Sequence, residues 1–117
     1  MTFDVFDVVV THFPFADRSA EKKRPAVVLS GFDNFGSATG VALVAMITTG
    51  RASQWPLDVP VGDLDAAGLK HNCGVRMKLA TLDFRHIERK LGGLAEGDRK
   101  AVSESLKQLL PFEIGTA

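Results

Sequence analysis

Only one stretch of this sequence carries its apolar residues plainly at helical spacing, and it lies late in the chain. Within residues 96–110, Val102, Leu106, Leu109 and Leu110, with Ala101, form one apolar stripe. Asp98 places an acid in the first turn, where the helix dipole favours it. Ala95 has no side-chain oxygen to serve as an N-cap, and Pro111 and Gly115 stop the helix. The segments before it read at the period of a strand or break into turns. One helix must therefore cover one face or one mouth of a sheet.

Residues 5–13 predict a first strand, rich in β-branched Val5, Val8, Val9 and Val10, and Pro14 ends it. Residues 16–23 are charged and form a surface loop. Residues 25–30 make a second, short strand buried on both faces. Residues 31–40, with Asp33, Asn34, Gly36 and Ser37, read as a turn or loop. In the third strand, residues 41–48, Leu43, Ala45 and Ile47 share one face, and Val44, Met46 and Thr48 share the other. Residues 57–61 alternate, with Asp58 and Pro60 outward, and Pro60 restricts them to a sheet edge. Residues 63–68 are a turn-rich connection. Residues 73–79 alternate again: Cys73, Val75, Met77 and Leu79 face the core, which sends Arg76 and Lys78 outward together. Residues 81–90 fit a short strand or a helical turn, and Gly92-Gly93 reads as a turn. The expected class is α+β: a small, curved antiparallel sheet or SH3-like, partly open barrel of about five strands, with a C-terminal helix. Residues 1–117 are expected to form a single domain.

Composition narrows the function. The chain is 45% apolar, enough for a real core, and its formal net charge is zero. A neutral total disfavours a bulk electrostatic nucleic-acid binder but leaves room for a local positive groove. The single cysteine, Cys73, cannot form an internal disulfide, so a cytoplasmic protein is expected. No signal peptide is expected at the N-terminus, and no apolar run in the sequence approaches the roughly 20 residues of a membrane helix.

The densest chemistry lies in Lys22-Lys23-Arg24-Pro25, directly before the second strand. A bare charge run is usually a solvated loop. Here Pro25 restricts Arg24 to an extended backbone and holds a charged fork at the rim of the sheet. With Arg76 and Lys78 outward on another strand, the set offers a local phosphate-binding face. Thr48 and Thr49 end the third strand, where a hydroxyl can hold a phosphate oxygen, although threonine there is usually β-propensity alone. His12, His71 and His86 are scattered, and His71 with Cys73 supplies too few ligands for a zinc site. Cys73 on an apolar face is expected to be an inert thiol. His12, beside the first loop, is a minor candidate proton carrier. Trp55 can stack a base, though beside Pro56 it is more often plain packing.

Four blocks make the sequence resemble the MazF/PemK family of toxin–antitoxin ribonucleases. They are Asp7-Val8-Val9-Val10 leading to Phe13-Pro14-Phe15; Lys23-Arg24-Pro25-Ala26-Val27-Val28-Leu29-Ser30; Val44-Ala45-Met46-Ile47-Thr48-Thr49; and Gly68-Leu69-Lys70 followed by Val75-Arg76 and Leu79-Ala80-Thr81-Leu82-Asp83. The resemblance implies a barrel-like sheet, also seen in CcdB toxins, in a homodimer neutralised by a cognate antitoxin. It implies cleavage of single-stranded RNA, often mRNA, with no metal or other cofactor, leaving a 2′,3′-cyclic phosphate. Carried over by residue, the arginine of the Arg-Pro block is Arg24, the threonine after the third-strand isoleucine is Thr48, the loop carboxylate before the arginine is Glu21, and the fourth-block arginine is Arg76. Arginine stays protonated, so electrostatic clamping suits Arg24 and Arg76 better than proton transfer. Such clamping is worth about 3 kcal/mol in comparable sites. Glu21 or His12 would take the proton of the 2′-hydroxyl. Lys22 and Lys23 would steer the strand, with Thr49, Lys78 and Trp55 as further RNA contacts.

The sequence departs from the family pattern in four places. Phe6 stands where a glycine is usual before Asp7, and Lys78 where some members carry an aspartate. Cys73-Gly74 and Ala95 replace serines. Two other readings stay open: a CcdB-like toxin that poisons DNA gyrase by docking, and an inactive member kept for antitoxin binding.

Overall fold

β1 (Asp7–His12), β2 (Lys23–Val28), β3 (Val41–Thr49), β4 (Val59–Pro60), β5 (Cys73–Asp83) and β6 (Ile87–Gly93) form one six-stranded sheet in the order β4-β5-β3-β2-β1-β6. Every pairing is antiparallel. These elements come from a computed structural model that describes residues 2–12, 23–49 and 55–112. Glu21, Lys22, most of the loop expected over 16–23, and Gly115 lie outside the described residues.

Side-chain alternation gives the sheet two buried faces. On one face Val8, Val27, Ala45, Ile47, Val75 and Met77 pack under Val102, Leu106 and Leu109 of α3 (Glu96–Leu109), three members of the predicted stripe; Ala101 is instead exposed, and Ser105 is buried. On the other face Val9, Ala26, Val28, Val44 and Leu82 pack with Phe3 and Phe84. The rings of Phe3 and Phe84 meet edge to face at 5.5 Å, and Phe32 stacks on Phe84 at 6.3 Å. Two apolar layers explain why β1 and β2 read as continuous valine runs rather than alternating ones.

The sheet has six strands, not the expected five or so. Residues 81–90 resolve into the end of β5, a 3-10 turn at Phe84–His86, and β6. Gly92 and Gly93 lie in β6 rather than in a turn. A Cβ on Gly92 would run into the carbonyl oxygen of Ala66, so glycine there answers close packing. Local periodicity could not place β6, because among the described residues it pairs with β1, at the far end of the sequence. Two expected loops are helical in part. Residues Phe32–Gly36 form a π-helical turn leading into α1 (Ser37–Thr39). Asp63 caps α2 (Leu64–Ala67) by accepting from the Ala66 N–H at 3.0 Å.

Strand ends also shift. β1 starts at Asp7 because Phe6 has φ 71°, a left-handed conformation that breaks the strand before it. Among the described residues β2 already runs at Lys23, two residues before Pro25. Its pairing with β3 starts only at Ala26, so the missing proline N–H interrupts no rung of that ladder. β4 is an edge strand, as Pro60 requires. Among the described residues, no helix is long and apolar enough to cross a membrane.

Candidate functional site

Thr11 and Arg24 are paired across β1 and β2. Thr11 is fully buried, and its hydroxyl donates to the Arg24 carbonyl at 2.8 Å. The Arg24 backbone is thus held from below while its side chain is exposed. The β2–β3 ladder ends where Ala26 pairs with Met46. Two residues further along both strands stand Arg24 and Thr48, on the face that Ala26 and Met46 share. Side-chain alternation therefore sets Arg24 and Thr48 on one surface, just past the last paired rung of the two strands. That surface is the one turned away from α3.

β5 continues the surface. Thr48 pairs with Gly74. Between the pairs Ile47–Val75 and Ala45–Leu79 the register shifts, so Arg76, Met77 and Lys78 together oppose Met46 alone. Val75 and Met77 point into the core under α3, which leaves Arg76 and Lys78 on the Arg24 side. Lys78 is exposed, as expected. Arg76 is not: only 19% of its side chain is accessible. Its Nε and Nη2 donate to Asp58 Oδ1 and Oδ2 at 3.3 and 3.1 Å, a two-point grip. Its guanidinium carbon lies 5.1 Å from the ring centroid of Trp55, and Trp55 remains 42% exposed.

α3 fastens the segment that carries Asp58. Ser105, itself buried, donates to the Leu57 carbonyl at 2.6 Å. Asp98 accepts from the N–H groups of Gly62 and Asp63 at 2.9 and 3.0 Å. Asp98 therefore has a tertiary role beyond its place near the helix dipole.

The remaining cations and hydroxyls are placed elsewhere. Alternation turns Lys23 and His12 to the face opposite Arg24. There Glu88 joins them: His12 Nε2 and Lys23 Nζ lie 2.9 and 3.1 Å from Glu88 Oε1. The Lys23 hydrogen bond, followed by that of His12, holds the Glu88 carboxyl below the usual range. Thr49 pairs with Cys73 and alternates away from Thr48. Burial pushes the Cys73 thiol up, and its Sγ donates to the His71 carbonyl at 2.9 Å, as an inert thiol would. Among the described residues, no group of three or more His, Cys, Asp or Glu side chains is arranged to hold a metal ion.

Sequence reasoning missed Asp58, Glu88 and Ser105. The alternation that turned Asp58 outward was legible. Nothing local linked it to Arg76, 18 residues away. Glu88 lay in the ambiguous segment, and Ser105 sat among the leucines of the helical stripe.

The fold matches solved toxin structures at low identity. MazF from Deinococcus radiodurans aligns with a TM-score of 0.74 at 23% identity, covering 96% of this chain and 99% of that one. The MazE–MazF assembly from the same organism aligns with a TM-score of 0.74 at 22% identity, over 94% and 97%. An endoribonuclease in complex with its cognate antitoxin, from a mycobacterial species, aligns with a TM-score of 0.75 at 15% identity, over 97% and 99%. A sequence search of curated proteins returns no match. The model of the PemK-like, MazF-like toxins matches residues 4–110, nearly the whole chain and every element described above. This protein belongs to the family of PemK-like, MazF-like toxins of type II toxin–antitoxin systems.

Proposed function

We propose that this toxin is an endoribonuclease that cuts single-stranded RNA without a metal ion. The observation that carries the reading is that Arg24 and Thr48 share the face away from α3, each two residues beyond the Ala26–Met46 pair. Cleavage inside an RNA strand needs the 2′-oxygen to attack the adjacent phosphorus while the 5′-oxygen leaves. The 2′-hydroxyl proton goes to a base, the 5′-oxygen gains a proton, and the products are a 2′,3′-cyclic phosphate and a 5′-hydroxyl. Negative charge builds on the non-bridging oxygens. A permanently charged, planar guanidinium beside a hydroxyl suits those oxygens. Arg24 clamps them and Thr48 donates to one. Glu21, in the connection between β1 and β2, is the proposed base; His12 is tied to Glu88 on the opposite face. Lys78, exposed on β5, extends the positive surface along the strand.

The protein works in the cytoplasm as a homodimer, and a cognate antitoxin silences it. Similar structures described as MazE–MazF and as an endoribonuclease with its antitoxin support this partner class. The test is cleavage of a single-stranded RNA by the purified protein with and without EDTA, beside a gyrase supercoiling assay. EDTA-insensitive cutting that disappears in Arg24→Ala supports the proposal. Inhibited supercoiling with intact RNA would replace it with the gyrase-poison reading.

A further inference from the structure

Arg76 is a basic residue of this surface whose guanidinium is held on two sides. Asp58 takes two donors of its guanidinium, and Trp55 lies against it at 5.1 Å. A two-point grip fixes the plane of the fork as well as its position. The position of Asp58 is itself built in. Its neighbour Leu57 has φ 69°, an unfavourable conformation for a branched side chain. That conformation is retained with the Leu57 carbonyl bound to buried Ser105 of α3. A residue meant only to neutralise phosphate would gain nothing from a carboxylate that cancels its charge. A residue meant to present a flat surface gains a fixed orientation.

We propose that Trp55, Arg76 and Asp58 form a nucleobase subsite: Trp55, backed by Arg76, stacks an unpaired base of the RNA, and Asp58 is the positioning residue that holds Arg76 in place. Indole and guanidinium are the two protein surfaces best suited to stack a base. The subsite lies one strand beyond Thr48, so it reads a nucleotide flanking the cleaved bond and contributes to sequence preference rather than to the chemical step. This rests on the ribonuclease reading for its biological meaning, yet base stacking can be measured without cleavage.

Trp55 is the chain's only tryptophan and tyrosine is absent, so intrinsic fluorescence reports on this subsite alone. The experiment titrates the intact protein with a single-stranded 2′-O-methyl RNA, which lacks the attacking hydroxyl, and with an abasic strand of equal length and charge. The expected result is quenching of Trp55 emission by the base-bearing strand and binding about tenfold tighter than the abasic strand. In Asp58→Asn, which preserves shape, that ratio falls towards one. In Trp55→Phe the mapped cleavage preference is kept, and in Trp55→Ala it relaxes. Equal quenching by both strands, no quenching, or an unchanged ratio in Asp58→Asn overturns the subsite. A purely structural Asp58 would lower the melting temperature and leave the ratio alone. If the parent protein cuts no RNA, the ribonuclease reading fails while the titration still decides the subsite.

Discussion

The hydroxyl of Ser105 donates to the carbonyl oxygen of Leu57 at 2.6 Å, joining two residues 48 positions apart. This bond ties α3 to the segment that presents Asp58, so the helix is a brace for the site surface as well as a lid on the core. Ser105→Ala leaves the part-buried Leu57 carbonyl without this donor and is expected to lower stability by about 1–2 kcal/mol. Urea unfolding measures it. RNA cleavage preference should relax in the same variant under conditions where it remains folded.

Arg24→Ala should reduce cleavage by about a hundredfold to a thousandfold, as expected for removal of one transition-state donor. The side chain is exposed, so circular dichroism and the melting temperature should stay near those of the parent. Arg24→Lys keeps the charge but loses the planar fork, and its activity should fall well below the parent's. Full activity in either variant would remove Arg24 from the site.

Phe6 sits at φ 71°, between β2 and β6, where its N–H donates to Val28 and its carbonyl accepts from Leu94. Its ring packs against the core under α3, with Arg99 5.7 Å from the ring centroid. A glycine there would avoid the backbone cost but give up the ring. Phe6→Ala loses the ring and keeps the cost; Phe6→Gly loses the ring and removes the cost. Phe6→Gly should therefore be more stable than Phe6→Ala by about 1 kcal/mol, the reverse of the usual order. Denaturant midpoints of the pair decide it.

Glu88 is held below its usual range by Lys23 and then by His12. A carboxyl depressed in the folded state binds fewer protons there than in the unfolded state. Its contribution is complete above the usual carboxylate range and disappears as pH falls through the depressed value. Thermal melts between neutral pH and about pH 3 should show Glu88→Gln converging on the parent as acidity rises. A constant gap across that range would mean that the cluster does not titrate as described.

How much of this was legible in the sequence differs by element. The helix over residues 96–110, the alternation of 73–79 and the edge position of Pro60 all rest on near-neighbour periodicity. Side chains at fixed spacings share a face whatever surrounds them, so these could be read directly. Arg24 and Thr48 were legible as residue types through family resemblance. Glycine misled: Gly92 and Gly93 read as a turn, yet Gly92 is required by the carbonyl of Ala66 packed against it.

The sequence by itself determined the strands that carry most of the two apolar layers, the single long helix and the identity of the cations at the rim. Tertiary structure alone decided which cations share a surface. Register puts Arg24 and Thr48 on one face and sends Lys23 to Glu88 on the opposite face. A shift in the β3–β5 pairing sets Arg76, Met77 and Lys78 against Met46, and an edge segment braced by α3 supplies Asp58. Each of these outcomes depends on contacts between residues far apart in the chain. Local propensity carries no information about them, because the same strand can meet any partner until the whole sheet closes its core.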